Sequence, residues 1–583
     1  MILGIDLGTT NSLAGIVSGG KVEFVEFDQS KLLPSVVAID NDRNLLIGQS
    51  AKNQYYLNPG NSIKSIKRLM GSSTPIQLDG TGYLPEEISG LILRHIKSTA
   101  EKQFGRPFPS AVITVPAYFS DGQRKATAIA GEIAGFKVER IINEPTAASL
   151  AYNYNRSQEI KAVVYDFGGG TFDVSVVNIS RNLVEVVASH GDNRLGGDDI
   201  DEAFARYLAD RICEKYPVTI SPDSAAAGQL SRIAEKCKIE LSTSPYHTIV
   251  ENLSLDESEL PLAVELEIRR PEFEKILQPF LEKTMNLVHI ALDDARLNAD
   301  DIDQILLVGG TSKIPLVAEE FEKIFAVAPS ESINPDLSIC FGAAVQGAII
   351  NDDDIDSILV DITPHTFGTR ASVKDQFGFL IDDDIFVPVI KRNSPLPTRK
   401  SELFFKTHPE QKTIEVQVLQ GDCETASDNR LIGSFKIMDL SPVNDNEEIL
   451  LTMNLDLNGI LTVTAVEKET GHSKQIQIDN SFDRKDISKS IDKLTALLNA
   501  DTEALDDQTS PETKNLDEKS ENRIYIAQTM IDKAESKFMS ANPDDVEEMR
   551  GIIVKMKQAI EDGDIPQVED LTDRLTDILF YLD

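Results

Sequence analysis

Residues 2–17, ILGIDLGTTNSLAGIV, and residues 162–177, AVVYDFGGGTFDVSVV, are written in one grammar at two distant places in the chain. Each reads as a strand of mostly β-branched and apolar residues, an aspartate, a turn containing glycine, and a second strand. A duplicated supersecondary unit is the simplest origin of such a pair. Glycines at the turns admit positive φ and bring backbone N–H groups close to an anion, while Thr9, Thr10 and Thr171 add hydroxyl donors, a combination that suits phosphate. Asp6 and Asp166, one beside each turn, can hold a magnesium ion mostly through water, because magnesium keeps much of its hydration shell. Either glycine turn alone is more often a plain hairpin turn. Together they frame a nucleotide, and a third strand-turn unit, Ile305 to Pro315 with Gly309 and Gly310 at its turn, is placed to carry the nucleoside.

A chain of 583 residues exceeds what one hydrophobic core organises, so several domains are expected. Lysine and arginine number 57 against 95 aspartates and glutamates, a formal charge of -38 that repels nucleic-acid phosphates and anionic membrane surfaces. Neither partner is expected. Cys213, Cys237, Cys340 and Cys423 form no CxxC pair, which argues against a zinc site or a disulfide framework. The opening residues Met1 to Asp6 lack a basic segment and meet a carboxylate early, and no apolar run is long enough to span a bilayer. A cytoplasmic location is the expectation.

Five segments decide the branch: IDLGTTNS (5–12), VPAYFSDGQRKAT (115–127), RIINEPTAAS (140–149), YDFGGGTFDVS (165–175) and NPD (334–336). In order and wording they resemble the DnaK-like seventy-kilodalton heat-shock chaperones, within the actin and sugar-kinase superfamily, from residue 2 into the β-rich region beyond 400. The fold implied is multidomain: an α/β actin-like ATPase of two duplicated lobes over residues 1–352, a linker over 353–363, a β-sandwich peptide-binding domain over 364–482 and an α-helical lid over 483–583. The resemblance implies ATP/ADP and Mg2+ as cofactors, with K+ as a further expected ion. It implies unfolded or extended polypeptide clients and a J-domain co-chaperone as partners.

Carried over residue by residue, the resemblance makes Asp6, Gly8, Thr9, Thr10 and Asn11 the first phosphate loop and Gly168, Gly169, Gly170 and Thr171 the second. It assigns Lys67 and Glu144 to the attacking water, with Asp166 and Thr171 beside them in catalysis. Asp6, Asp166 and Asp173 become the metal cage. Gly196, Gly197, Glu235, Lys238, Ser242, Gly309, Gly310, Thr311, Lys313 and Asp336 complete the nucleotide contacts. Pro116, Arg124, Arg140, Leu359 and Asp361 are implied in coupling between domains. Read without the family, Lys67 is a basic residue in an Ile-Lys-Arg-Leu segment, where a snorkelling side chain is the commoner fate.

Beyond the ATPase, the acidic run Asn351 to Asp354 precedes Ser357-Ile358-Leu359-Val360-Asp361, which reads either as an apolar tether that docks or as the first strand of the next domain. Period-two alternation in Thr413 to Val418 and Ile460 to Thr464 marks a β-rich domain, and Asn458-Gly459 between two such runs signals a hairpin. By resemblance Phe404, Thr407 and Ile414 line the peptide site; by alternation alone Ile414 is equally a core residue. From about 483 the chain turns helical and charged. Asn542-Pro543-Asp544-Asp545 is a helix start, and residues 500–521 read as a loop.

Departures from the family pattern accompany the match. Between Gly71 and Ile88 the chain is short, which puts partners that exchange nucleotide by gripping that stretch in doubt. Lys313 stands where an arginine stacks on adenine, and lysine has no planar guanidinium. Asp198 replaces a glutamate, Thr407 stands where a small apolar residue is expected, Asp382 to Asp384 form an acidic run, and the lid reaches only Asp583. With His408-Pro409-Glu410-Gln411 these features resemble the short HscC-like bacterial branch. The rival readings are a small-molecule kinase on the same fold, a filament-forming actin-like protein, and a peptide-binding adaptor that does not cycle.

Overall fold

The computed structural model describes residues 1–57, 59–154, 159–181, 183–221, 224–255, 261–325, 327–330, 334–353, 355, 357–374, 380–406, 411–438, 440, 448–467, 473–477 and 484–503. In the C-terminal part it describes 527, 531, 534, 543–562, 566–568, 571, 572, 574 and 575. Two compact units result, Met1–Glu503 and Ala504–Asp583.

The duplication read from the sequence is a duplication of sheets. In the first lobe Ile2–Asp6 lies antiparallel to Asn11–Ser18 and parallel to Ser110–Val115, which is parallel in turn to Lys137–Asn143. In the second lobe Ile160–Phe167 lies antiparallel to Phe172–Ser180 and parallel to Gln304–Val308. Strands of this kind are buried on both faces, and Ile2–Asp6 is buried along its whole length. Each lobe has its own apolar core, one around Leu3, Ile5, Ile92 and Phe119, the other around Tyr165, Phe204, Phe273 and Phe321.

A third core joins the lobes at the back of the cleft. It is built on helices Glu144–Asn153 and Ser338–Ile350, with Ile2 and Val112 from one sheet and Val164 and Leu306 from the other. Small residues allow the approach: a Cβ on Gly342 would lie 1.7 Å from the Ala147 carbonyl oxygen, and one on Gly4 would lie 2.2 Å from the Ala344 nitrogen. The cleft thus opens away from a closely packed axle.

Ile358–Val360 decides between the two readings in favour of a tether that docks, and it docks as a strand. It adds a parallel strand to the edge strand Leu183–Asp192 of the second lobe, pairing Leu359 with Val184. The next residues, Ile362–Thr363, pair with Ser394–Pro395 of the β-rich domain. That domain is a sandwich of two four-stranded sheets around Val418, Phe435, Met453 and Val463. Asn458-Gly459 does mark a hairpin, between Glu448–Leu455 and Leu461–Glu467. Of the pair only Gly459 takes positive φ, and the Asp456 carboxylate closes the loop by accepting from the amides of Asn458 and Ile460.

Helix Arg484–Glu503 packs on the first lobe, burying Leu494 in that lobe's core, so the helix covers the first residues of the segment read as a loop. Burying one leucine contributes about 2–3 kcal/mol. Lys493 Nζ donates to Glu87 at 2.8 Å and to the Gly82 carbonyl at 2.7 Å, and lies 4.1 Å above the Tyr83 ring. These partners sit on the stretch where the chain is short, here a hairpin of Ile76–Leu78 with Thr81–Tyr83. In the second unit, helix Pro543–Asp562 begins at the proline the sequence marks, and its apolar face gathers Ala527, Ile531, Val568 and Leu575. No helix among the described residues is long and apolar enough to cross a membrane.

Candidate functional site: a cleft between two glycine hairpins

The two hairpins face each other across the cleft at a distance only glycine permits. A Cβ on Gly169 would stand 1.9 Å from Thr10 Oγ1, and one on Gly170 2.5 Å from Thr9 Cγ2. Gly8 is closed in by the Asn11 carbonyl, 2.0 Å from where its Cβ would be. The second hairpin is braced from behind: the amides of Gly197 and Asp198 donate to the carbonyls of Gly168 (3.0 Å) and Gly169 (2.7 Å), and Thr311 Oγ1 donates to Gly168 (2.8 Å). Gly309, at φ 82, passes so near Asp166 that a Cβ would lie 2.7 Å from Oδ1.

At the floor, charge is concentrated on buried side chains. Lys67 and Glu144, both buried, form an ion pair through Nζ and Oε1. Asp6 accepts from Thr114 Oγ1 at 2.9 Å, and Asp173 accepts from the Tyr118 amide at 3.1 Å. Burial and the nearby Glu144 carboxylate push Asp6 up to about 7 despite Lys67. The same two causes hold Asp166 and Asp173 well above the usual carboxylate range. Four carboxylates to one ammonium is an arrangement that calls for a further cation.

Magnesium fits that need. Asp166 Oδ2 is buried with no hydrogen-bond partner, an orphaned acceptor aimed at the cleft floor. Among the described residues no three histidine, cysteine or carboxylate side chains converge closely enough to hold a metal unaided. An ion that retains water and takes phosphate oxygens as ligands meets both observations.

The cleft has a volume of about 270 Å³ and brings together most of the residues named from the sequence. Asp6, Gly8, Thr9, Thr10, Asn11, Lys67, Glu144, Asp166, Gly168, Gly169 and Thr171 line it, together with Gly197, Glu235, Lys238, Ser242, Gly309, Gly310, Thr311 and Asp336. Gly170 and Gly196 back the walls, Gly196 against the Gly169 carbonyl. Lys313 lies half-exposed outside the lining, paired with Asp336. Three features of this wall have no counterpart in the sequence reading. Lys52 reaches Glu235 across the mouth at 2.9 Å. Asp201 binds Lys238 at 2.7 Å and is lifted by burial to about 6. Ser65 and Arg68, flanking Lys67, bond to Asp198 and Asp199. Of these, only the acidic pair after Gly196-Gly197 leaves a trace, as the first turn of a helix.

Of the residues implied in coupling, Arg124, Arg140 and Asp361 meet around Asn143, whereas Leu359 pairs with Val184 on the second-lobe edge. The Asp361 carboxylate accepts from Asn143 Nδ2 at 2.9 and 3.0 Å and from Thr146 Oγ1 at 3.1 Å. Arg124 is fully buried, donating to Asn143 Oδ1 (2.7 Å), to the Ala117 carbonyl (2.8 Å) and to the Asn458 carbonyl of the β-rich domain (3.4 Å). Arg140 lies close enough to Asp361 to help hold its charge, and the Pro116 carbonyl closes the turn at Phe119. In the sandwich, Phe404 and Ile414 pack against the core from its margin, whereas Thr407 lies outside the described residues.

Two sheets of matching topology, closed on a cleft by paired glycine hairpins, make this an actin-like nucleotide-binding protein with a β-sandwich attached. A family model described as Hsp70 protein matches residues 2–79 and 72–581, and the chain belongs to the Hsp70 family. Members of that family are ATPases that use ATP/ADP with Mg2+, act as chaperones on unfolded clients and work with J-domain co-chaperones.

Proposed function

We propose that this chain is an ATP-driven chaperone in which the nucleotide cleft controls the grip of the β-sandwich on extended polypeptide. The observation that carries the reading is one pair of adjacent residues. Glu144 holds Lys67 on the cleft floor, and its neighbour Asn143 holds both Arg124 and the linker's Asp361. A shift of Glu144 on nucleotide binding is therefore felt by the linker within one residue. A switch of this kind needs contacts that differ between its states, and the linker strand, Arg124 with Asn458, and Leu494 supply contacts that a released state would lack.

In the cleft, Thr9, Thr10 and the amides of the second hairpin bind and orient the phosphates, with Asp6 and Asp166 toward the metal. Asp6 and Asp166 would hold magnesium mostly through water, and the ion would supply positive charge against the phosphates. Lys67 orients the attacking water and neutralises charge growing on the terminal phosphate, while Glu144 fixes the lysine. Asp173 holds the Tyr118 backbone against this floor. The short Ile76–Tyr83 hairpin and Lys313 fit a specialised chaperone of the HscC-like kind, with a narrowed choice of exchange partners.

The test is steady-state ATP hydrolysis with and without an unfolded peptide, on the full chain and on Asp361→Ala. Peptide should accelerate the wild type, whereas Asp361→Ala should keep its basal rate and lose the acceleration. A wild type indifferent to peptide would favour the non-cycling adaptor.

A further inference from the structure

We propose that Arg68 and Ser65 in the first lobe, with Asp199 and Asp198 opposite them in the second, are positioning residues that bolt the Lys67 turn to the second glycine hairpin when the lobes close. The inference rests on the ATPase reading of the cleft.

Lys67 sits in a single helical turn, Ile66–Leu69, entered through Ser65 in the left-handed region at φ 53. No side chain caps that turn. The lysine tip is held by Glu144 and lies 5.9 Å from the Phe119 ring, partners packed within the first lobe or on the axle helix. None of those contacts reaches Gly168 to Thr171, which belong to the other lobe. The link to that lobe is made by the residues on either side of the lysine. Ser65 Oγ donates to Asp198 Oδ2 at 2.6 Å, and Arg68 Nη2 donates to both oxygens of Asp199 at 2.8 and 2.7 Å. The Arg68 stem also lies against the hairpin, its Cγ and Cδ 3.0 Å from the place of a Cβ on Gly170.

The acceptors are as firmly placed as the donors. Asp198 and Asp199 form the first turn of helix Gly197–Lys215, whose leading amides are bonded to Gly168 and Gly169. The path from lysine to phosphate loop therefore runs through two hydrogen-bonded carboxylates and no flexible segment. Asp198 is one methylene shorter than the glutamate the family pattern leads one to expect, and the left-handed Ser65 brings its hydroxyl in to meet it. The Arg68–Asp199 pair is about three-quarters buried on both sides, which limits screening by salt. Displacing a catalytic group by about 1 Å costs on the order of a hundredfold in rate, so a bolt of this kind acts on turnover more than on binding.

The experiment uses the full chain with Mg·ATP. Single-turnover hydrolysis and, separately, equilibrium affinity for a fluorescent ADP are measured for wild type, Arg68→Met, Arg68→Lys, Asp199→Asn and the Arg68→Met/Asp199→Asn pair. Asp199 Oδ2 also accepts from the Gly196 amide and so caps its own helix, which makes Arg68→Met the deciding variant. Arg68→Met should slow hydrolysis by about tenfold to a hundredfold with the ADP Kd within about threefold of wild type. The paired variant should be no slower than the slower single, and Arg68→Lys should recover part of the rate. A wild-type rate in Arg68→Met, a loss confined to affinity, or losses that multiply in the pair would overturn the bolt while leaving the ATPase in place. A wild type that hydrolyses no ATP would remove the ATPase reading and the bolt with it.

Discussion

A methyl group on Gly169 would stand 1.9 Å from the Thr10 hydroxyl and 3.2 Å from its Cβ, so it presses the two hairpins apart across the cleft. Gly169→Ala should therefore leave the melting temperature of the nucleotide-free chain near wild type and weaken ATP binding by at least about tenfold, measured by titration calorimetry. Lys67→Ala should bind ATP and lose at least about a hundredfold in single-turnover hydrolysis; an unchanged rate would remove the lysine's role. His365, which the sequence reading passed over, carries a third prediction. Its half-buried ring lies edge-on against Tyr118, with Nε2 on the Tyr118 carbonyl at 3.0 Å, facing Arg124, Arg430 and Asp422. Burial foremost, with the two arginines, lowers it to about 4 in the docked arrangement against 6.5 when free. The released state binds the extra proton, so docking is at full strength above pH 6.5 and fades as pH falls toward 4. Between pH 7.5 and 5.5 the docking constant should fall by about tenfold, read as faster hydrogen exchange of the linker amides, and His365→Phe should flatten that dependence. The aspartates and glycines of the cleft were legible because turn chemistry is local; His365, Lys52 and Arg68 owe their roles to partners far along the chain, and no spacing announces them.

At the scale of elements, most of the fold followed from period and punctuation. The mirrored strand-turn-strand units, the strand before Gly309 and the helix from Pro543 each carry their signal within a dozen residues or so. The linker did not, because Ile358-Leu359-Val360 is apolar enough for tether or strand, and its partner strand is chosen by a free sheet edge elsewhere. Helix Arg484–Glu503 was legible as a helix, while its seat on the first lobe was not, since one buried leucine looks like any other before the fold is known. Leu494→Ala should cost about 2–5 kcal/mol of that seating. Hydrogen exchange along Arg484–Glu503 should quicken accordingly, with exchange in the first-lobe strands unchanged.

For the molecule as a whole, the consequence concerns solubility. The linker strand covers one edge of the second-lobe sheet, and in any state where it leaves, strand Leu183–Asp192 loses its partner along Leu183, Val184 and Glu185 and becomes a bare edge. Uncovered edges of this sort recruit other extended chains and seed precipitation. In the proposed cycle the chain would thus expose a sticky margin of its own each time the linker leaves. Two defences are built in: Glu185 stands on that margin, and a formal charge of -38 keeps copies of the chain apart.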